Sequence, residues 1–452
     1  MKRWLAAILA VALFATAFVF FKPSPAREPW PFTLYFTCDI RGRLVPCGCF
    51  TGQMGGLTRV ATLIGLGQSP QCLKVDIGDA LGGTEDFEQI EHRYILDAFA
   101  KLGYDAVNLG HREAALSAAQ LREIKAKAPV PILAANLLDK TNGRPIFDTH
   151  RIVTRGRWKV ALVGVMDSHL AADSLGEGLV LEPVESTLGR LLPALKKEAD
   201  FIVLLAFANE AALKSLARDF YELDVVLGGN VSQPAQQLIR ENRSLILYTT
   251  NQSRAVGRLD LTLEPPSKMT AQSGEVMLVH DKVPEVDAIR ALATAYRAEI
   301  RHARLAIDNP ESLQAGMIPG VKNAASFVGS ERCVSCHANA AKVWAGSRHS
   351  HAFAPLVNNH ADADPNCIGC HAIGFGTASG YRREMEGAKL VHVGCESCHG
   401  PGSQHVEQRG AGVETAGRLR TVGAGDCQKC HHGEFSRPFV WDEFWPAIRH
   451  GK

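Results

Sequence analysis

The feature that most constrains this chain of 452 residues is a five-residue pattern, Cys-x-x-Cys-His, that occurs four times in its last third. Two cysteines at this spacing with a histidine directly after them are typical of c-type haem attachment, because the thiols bond the porphyrin and the histidine coordinates the iron. The eight cysteines are Cys333, Cys336, Cys367, Cys370, Cys395, Cys398, Cys427 and Cys430. The four predicted proximal ligands are His337, His371, His399 and His431.

Zinc knuckles and disulfide bonds are the alternatives for so many cysteines in one region. Neither needs a histidine immediately after every second cysteine, whereas haem attachment needs it each time. The sequence therefore predicts four c-type haems and gives no clear indication of a second metal.

The sixth ligand of each iron decides between electron transfer and ligand binding. Met385 is the sole methionine beyond the first attachment pattern, so methionine ligation is limited to one site at most. Bis-histidine ligation at most sites, with low reduction potentials, is therefore expected. In the last third of the chain, the histidines outside the four patterns are His349, His351, His360, His392, His405, His432 and His450.

The N-terminus has the pattern of an export segment. Lys2 and Arg3 precede an apolar stretch over residues 4–21, which is typical of a signal peptide and is also close to the length that spans a bilayer. Residues 1–26 are predicted to be a cleaved signal or an uncleaved anchor in the cytoplasmic membrane, with a buried N-terminal helix as the alternative. Signal and anchor both place the rest of the chain in the periplasm or on the outward face of that membrane.

Residues 31–306 are predicted to form an α/β layered domain, because short β-branched runs alternate with helical patterns up to residue 265. A closing helix with apolar residues at helical spacing from Val286 to Ile300 is expected to pack on this domain. Strands are predicted at 34–36, 73–76, 132–134, 160–163, 201–204, 224–227, 245–248 and 259–263.

A glycine- and proline-containing linker at 307–326 is predicted to lead to a second domain over 327–452, made of turns and short helical pieces. The formal net charge is only +2, and no basic run is interleaved with aromatic residues. These features exclude a nucleic-acid partner.

The last third resembles the tetrahaem cytochrome c family that accepts electrons from hydroxylamine oxidoreductase. The likeness runs from Phe327 to His450 and extends beyond the attachment patterns to Phe327-Val-Gly-Ser, Trp344-x-x-Ser-x-His349, Gly400-Pro-Gly-Ser-Gln-His405, Pro438-Phe439, Trp445 and Ile448-Arg-His450. The resemblance implies that His349, His405 and His450 are distal ligands. It also implies that the second iron, at His371, has an open position, which His351 or His360 are candidates to close.

Residues 31–265 resemble the metallophosphatase domain of bacterial 5'-nucleotidases. The matching segments are Thr37-Cys-Asp39, Gly55-Gly-Leu57, Val75-Asp-Ile-Gly-Asp79 and Tyr104-Asp-Ala-Val-Asn-Leu-Gly110. Most metal ligands of that family are replaced: Arg41 stands at a histidine position, His111-Arg112-Glu113 replaces Asn-His-Glu, and residues 204–207 and 228–232 lack the metal histidines. Only Asp39 and Asp79 remain as oxygen ligands, too few for the usual binuclear centre, so we expect phosphatase activity to be lost.

Two groups of residues in this domain have open interpretations. Arg41, Arg43, His111 and Arg112 either gather at the old metal site and bind an anion or are solvated loop residues. Disulfide bonds are favoured over a metal site for the remaining cysteines, and Cys38 and Cys72 border predicted strands that would place them close together. These cysteines are Cys38, Cys47, Cys49 and Cys72.

The leading hypothesis is an exported tetrahaem cytochrome that exchanges electrons with redox partner proteins through low-potential haems. Its metallophosphatase-like domain would serve for docking or ligand binding. One alternative is an oxidoreductase that acts on a small nitrogen species at the haem of Cys367, Cys370 and His371. A metal-dependent phosphohydrolase is the other alternative.

Overall fold

The structure is a computed structural model that describes residues 28–46, 53–167, 174–250, 252–265, 268–309, 325–383, 388–413, 417, 419–432 and 436–451. The predicted export segment, most of the linker, Cys47, Cys49 and Met385 lie outside the described residues. None of the described helices is both long and apolar enough to cross a membrane.

Strands dominate the N-terminal part of the chain and include every strand that the sequence predicted. The described strands are β1 (Trp30–Thr37), β2 (Cys72–Asp76), β3 (Ala106–Asn108), β4 (Ile132–Leu133), β5 (Leu137–Asp139), β6 (Arg144–Pro145), β7 (His150–Arg155), β8 (Trp158–Met166), β9 (Leu179–Leu181), β10 (Phe201–Phe207), β11 (Val225–Gly229), β12 (Ile239–Glu241), β13 (Ser244–Tyr248), β14 (Ala255–Glu264) and β15 (Lys268–Leu278).

These strands form two six-stranded sheets, in the orders β15-β14-β1-β2-β3-β4 and β12-β13-β11-β10-β8-β7, and a small third sheet of β6, β5 and β9. The centre of each large sheet is parallel: β1, β2, β3 and β4 in the first, and β8, β10, β11 and β13 in the second. Parallel strands end at the same edge of a sheet, so the loops that follow them are neighbours.

Asn108, at the end of β3, joins the two large sheets. Its side-chain amide nitrogen lies 2.8 Å from the carbonyl oxygen of Val165 in β8 and 3.1 Å from that of Leu205 in β10. Every residue of β10 is buried, as expected for a strand covered on both faces. The apolar core of this domain therefore fills the space between the sheets.

Helices cover the sheets, which gives the layered α/β architecture that the sequence predicted. In the described part of this domain they are α1 (Leu57–Ile64), α2 (Asp86–Leu102), α3 (His111–Ala114), α4 (Ala118–Lys127), α5 (Val184–Glu198), α6 (Glu210–Asp219) and α7 (Asp287–His302). The predicted closing helix is α7, and it buries Ile289, Ala293, Tyr296 and Ile300 along one face. It packs on α2, where the rings of Tyr94 and Tyr296 lie 6.0 Å apart.

The expected proximity of Cys38 and Cys72 is wrong. The parallel register of β1 and β2 places Thr33 opposite Cys72 and Thr37 opposite Asp76, so Cys38 lies beyond the opposite end of β2. Five residues of strand separate their levels by about 17 Å, whereas a disulfide requires Cα atoms within about 7 Å. Both cysteines are free thiols.

The C-terminal part consists of short helices and irregular segments, as the sequence predicted. Its helices are α8 (Glu331–Val334), α9 (Ala338–Ala345), α10 (Ala354–Asn358), α11 (Pro365–His371), α12 (Cys395–His399), α13 (Ser403–Gly410), α14 (Ala424–Gln428) and α15 (Trp441–Phe444). A small cluster of buried apolar residues includes Phe353, Leu356, Ile368, Ile373 and Tyr381. So little apolar core is typical of a domain whose interior is completed by a bound cofactor.

The guanidinium of Arg383 ties the two parts of the chain together. It donates to the carbonyl oxygens of Ile300 and Ala303 at the end of α7 and pairs with Asp308. The side chains of Arg383 and Asp308 are only 6% and 10% exposed. The two domains are thus in direct contact through hydrogen bonds to the end of α7, and a largely buried ion pair with Asp308 in the linker supports this contact.

Candidate functional site

A single cavity of about 2020 Å³ contains all four attachment patterns: each of their eight cysteines and four histidines lines it. Typical sites for one drug-sized ligand occupy about 300–1,000 Å³. The cavity therefore has room for several large cofactors side by side.

Each attachment pattern forms about one helical turn. The amide of His337 donates to the carbonyl oxygen of Cys333, and the amide of His431 donates to that of Cys427, both at 2.9 Å. The second and third patterns lie within α11 and α12. Residues three apart on a helix share a face, so the two thiols of each pattern project in similar directions, as attachment to one porphyrin requires.

Three of the four proximal histidines face a second histidine across the cavity. Their ring centres are 6.1 Å apart for His337 and His405, 6.1 Å for His431 and His349, and 6.0 Å for His399 and His450. A metal between two imidazoles, with bonds of about 2 Å on each side, separates the ring centres by about 6 Å. The spacing of these pairs therefore fits one iron each.

Hydrogen bonds orient many of these rings. The Nδ1 atom of His371 contacts the carbonyl oxygen of Ala352, and those of His399, His405 and His450 contact the carbonyl oxygens of Arg420 at 3.2 Å, Gly417 at 2.9 Å and Ile448 at 2.9 Å. An imidazole that donates from Nδ1 leaves Nε2 for a metal, which is the usual arrangement of a metal-binding histidine.

Burial favours the metal-binding form of the His349–His431 pair. It lowers the pKa of His349, and it lowers the pKa of His431 as well. Neutral imidazole is the form that coordinates a metal, so both rings are prepared for ligation at neutral pH.

Cysteines of different attachment patterns lie next to one another. A hydrogen bond between the thiols of Cys333 and Cys395 raises the pKa of Cys333 and lowers that of Cys395 to about 6. A second such bond, between Cys370 and Cys430, lowers the pKa of Cys370 to about 7. The first pattern therefore adjoins the third, and the second adjoins the fourth.

The third and fourth patterns are also close, because the charge of the Cys427 thiolate contributes to a raised pKa of Cys398, after the larger effect of burial. Of the remaining histidines, His351 and His392 face each other with ring centres 6.4 Å apart. His392 also accepts a hydrogen bond from the amide of Phe353, whereas His360 and His432 are exposed.

Glu396, inside the third pattern, is a buried residue whose structural role the sequence did not reveal. It is 2% exposed and accepts hydrogen bonds from the amides of Val328, Gly329 and Gly402 at 2.7–3.1 Å. One buried carboxylate thus joins the segment before the first pattern to the segment after the third pattern. Its position between two attachment cysteines could have indicated a structural role, because a charged residue there has no part in haem attachment itself.

The second region of interest is the degenerate metal site, at the edge where β1, β2 and β3 end. Asp39 and Asp79 follow β1 and β2, and both adopt left-handed backbone conformations with φ of 58°. Asn230, after β11, has φ of 57°. Asp and Asn adopt this conformation more readily than most other residues, and here it occurs in the loops that follow three strands.

Arginine side chains occupy the space beside these aspartates. Arg41 pairs with Asp39, and the Nε atom of Arg112 lies 3.7 Å from the carboxylate of Asp79. His111 contacts the ring of Phe207 at 5.0 Å, and Arg43 instead lines the large cavity. Among the residues that the structure describes, no group of three or more His, Cys, Asp or Glu side chains is arranged to hold a metal ion.

Comparison with known proteins separates the chain into the same two parts. Residues 332–400 match the family model described as "Cytochrome c554 and c-prime". Cytochrome c-554 of Nitrosomonas europaea is 40% identical over 93 residues, which cover 17% of this chain and 40% of that protein. The C-terminal part is cytochrome c554-like. The predicted multihaem cytochrome resemblance is therefore confirmed.

The N-terminal part is similar to 5'-nucleotidases, as predicted. The 5'-nucleotidase of Bos taurus is 24% identical over 332 residues, covering 65% of this chain and 56% of that protein. The structure of Haemophilus influenzae NAD nucleotidase aligns with a TM-score of 0.54 at 14% identity, over 68% of this chain and 65% of that one. At this identity the likeness establishes the metallophosphatase-like fold alone, and the chain spans about half the length of these curated relatives.

Proposed function

We propose that this protein is an exported tetrahaem c-type cytochrome that transfers electrons through low-potential, mostly bis-histidine haems. The three histidine pairs, each about 6 Å apart, carry the proposal, because they supply both axial ligands to three irons. Two imidazole ligands leave no open position for a substrate, so such sites pass electrons rather than activate molecules. The haems supply the electron carriers, and the chain supplies their ligands, spacing and enclosure.

The contacts between thiols support a continuous route. Cys333 adjoins Cys395, Cys398 adjoins Cys427, and Cys430 adjoins Cys370. Attachment sites therefore follow one another in the order first, third, fourth and second. Electrons would enter at one end of this row and leave at the other, each end facing a redox partner protein.

A second candidate function is reduction or oxidation of a small nitrogen species at the second site. The three distal candidates, His349, His405 and His450, face the fourth, first and third proximal histidines, so all three serve sites other than His371. We propose that the second iron keeps an exchangeable sixth position. A high-spin ferric signal that shifts on addition of hydroxylamine or nitric oxide would support this function.

We also propose that the protein works in the periplasm or on the outward face of the cytoplasmic membrane. Covalent attachment of c-type haem and the similarity to cytochrome c554 support this location. The metallophosphatase-like domain, with arginines against both remaining aspartates, is proposed to be non-catalytic.

Haem quantification tests the main proposal. The chain is produced in a bacterium with the c-type haem maturation system, and haem per chain is measured by the pyridine assay together with reduction by dithionite and reoxidation by ferricyanide. We expect four haems that are reduced and reoxidised completely. The Cys333→Ala/Cys336→Ala variant should contain three, and fewer than four in the wild type would contradict the proposal.

A further inference from the structure

The haem cavity is not built from the cytochrome-like part alone. Arg43, Glu91 and Arg297 of the N-terminal domain line the same cavity as Cys367 and His371 of the second attachment site. A domain with a degenerate metal site therefore supplies charged side chains to the surroundings of a proposed haem.

Direct contacts fix this arrangement. The guanidinium of Arg297 donates to the carbonyl oxygen of Asn359 at 3.0 Å, and Arg301 forms two bonds, of 2.9 and 2.6 Å, with the carboxylate of Asp362. Both arginines lie on α7, and their partners lie in the segment that leads into α11, which carries the second attachment pattern. The wall next to this pattern is thus held by the N-terminal domain.

Glu91 is a buried carboxylate on the N-terminal side of this wall. It lies on α2 and is 7% exposed. Its carboxylate packs against Gly42: a Cβ atom at that position would lie 2.5 Å from Oε2 of Glu91, and Gly42 has φ of +73°. The left-handed backbone favours glycine at position 42, and a side chain there would displace the carboxylate from this place.

The charges around Glu91 come from several elements. Burial raises its pKa well above the usual value, and the negative charges of Asp364 and Glu88 raise it further, whereas Arg43 and Arg297 lower it. Asp364, at the start of α11, is likewise 7% exposed, and burial raises its pKa. The phenol of Tyr296, 2% exposed, also faces this group and has no hydrogen-bond partner among the described residues.

We propose that the N-terminal domain forms one wall of the second haem site, and that Glu91, held between Arg43, Arg297 and Asp364, takes up a proton when the haem at that site is reduced. The inference rests on the proposed attachment of haem to Cys367 and Cys370. It assigns the fused domain a role that a cytochrome without this domain lacks.

Charge balance explains the coupling. One electron, delivered by a one-electron donor protein through the neighbouring fourth site, removes one positive charge from the iron. The carboxylate of Glu91 then loses part of its electrostatic stabilisation and binds one proton from solvent, so that charge in the buried wall is conserved. On oxidation the electron leaves, the iron regains its positive charge, and Glu91 releases the proton.

The sign of the pH dependence follows. Because the reduced site binds the proton more tightly than the oxidised site, its reduction potential falls as pH rises between the two pKa values of Glu91. The slope of the reduction potential against pH can reach about 59 mV per pH unit, which is the value for one electron coupled to one proton.

Optical redox titrations of the haem-loaded full chain at several pH values test the proposal. The potential of the second site is the one that is absent from the Cys367→Ala/Cys370→Ala variant. We expect this potential to fall with pH in the wild type and to be independent of pH in Glu91→Gln. Glu299→Gln, which changes a carboxylate on the other side of α7, is the matched control and should keep the wild-type slope.

Arg297→Gln provides an independent test that leaves Glu91 in place. Loss of the cation favours the protonated carboxyl, so the pH range of the slope should move upward. Four haems with an unchanged slope in Glu91→Gln, or no slope in the wild type, would overturn this inference alone. Fewer than four haems in the wild type would overturn the proposed function as well.

Discussion

Histidine side chains in the C-terminal part meet in pairs that are far apart in sequence. His337 and His405 are separated by 68 positions, yet their rings are close to parallel, with an interplanar angle of 29°, and 6.1 Å apart. No hydrogen bond between these two rings is found in the described structure, and Nδ1 of His405 contacts the carbonyl oxygen of Gly417 instead. Such preorganised spacing is the arrangement that a metal between them requires.

Replacement of one distal histidine should therefore affect one haem. In His405→Ala we expect the first haem to change from low-spin to high-spin, because His337 alone gives a five-coordinate iron. The measurement is the electron paramagnetic resonance spectrum of the oxidised protein. His360→Ala, which changes an exposed histidine, should leave the spectrum as in the wild type. A low-spin first haem in His405→Ala would contradict the proposed ligation.

The four attachment patterns could be recognised from sequence because each lies within five consecutive positions. The pairing of His349, His405 and His450 with particular proximal histidines could not, since it depends on how short helices pack around the cavity. Glu91 and Arg43 were missed as cavity residues for the same reason: their partners lie in another domain. The supposed proximity of Cys38 and Cys72 failed because strand register is not visible in a local pattern.

Helix α7 is the element that connects the two domains. One face packs on α2, and its C-terminal end offers carbonyl oxygens to Arg383. Arginine is well suited to this role, because its planar guanidinium can bond carbonyls and a carboxylate at the same time.

Loss of this guanidinium should destabilise the protein strongly. In Arg383→Ala, Asp308 is left buried without its cation, which typically costs about 3–5 kcal/mol. Arg301→Ala removes an exposed pair with Asp362 and should cost only about 0.2–1 kcal/mol. The free energy of unfolding from urea titration compares the two variants. Equal losses would show that Arg383 is not the principal link between the domains.

Most central strands of both sheets were predictable, because they form continuous buried apolar runs such as residues 201–207. The central strand β3 was not predicted, since it has only three residues. β15 was not predicted, since it is an edge strand without a buried residue and its mixed sequence gives no apolar alternation. The closing helix α7 was predictable from its spacing of apolar residues. Its contacts with the cytochrome-like part involve polar side chains, which carry no such periodicity.

The whole molecule joins a metallophosphatase-like fold to a cytochrome c554-like part. In the first, Arg41 lies against Asp39 and Arg112 lies against Asp79. In the second, a cavity encloses the attachment sites, and the first domain supplies part of its wall. The two domains are therefore connected by a shared surface at the cavity as well as by the linker.

Addition of metal should not produce phosphatase activity. With Mn²⁺ or Zn²⁺ present, we expect no hydrolysis of nucleoside 5'-monophosphates above the level of an Asp39→Asn/Asp79→Asn variant, because two carboxylates paired with arginines cannot hold a binuclear centre. Phosphate release is the measurement. Activity in the wild type that disappears in the double variant would show that the site still works.

The proposal of a tetrahaem electron carrier with one exchangeable iron is tested most directly by electron paramagnetic resonance of the oxidised, fully haem-loaded protein. Three low-spin ferric signals and one high-spin signal per chain are predicted, since His349, His405 and His450 supply sixth ligands to three sites. Four low-spin signals would show that a further ligand closes the second site. Electron transfer would then be the one remaining proposed function. Two or more high-spin signals would contradict the proposed histidine pairs.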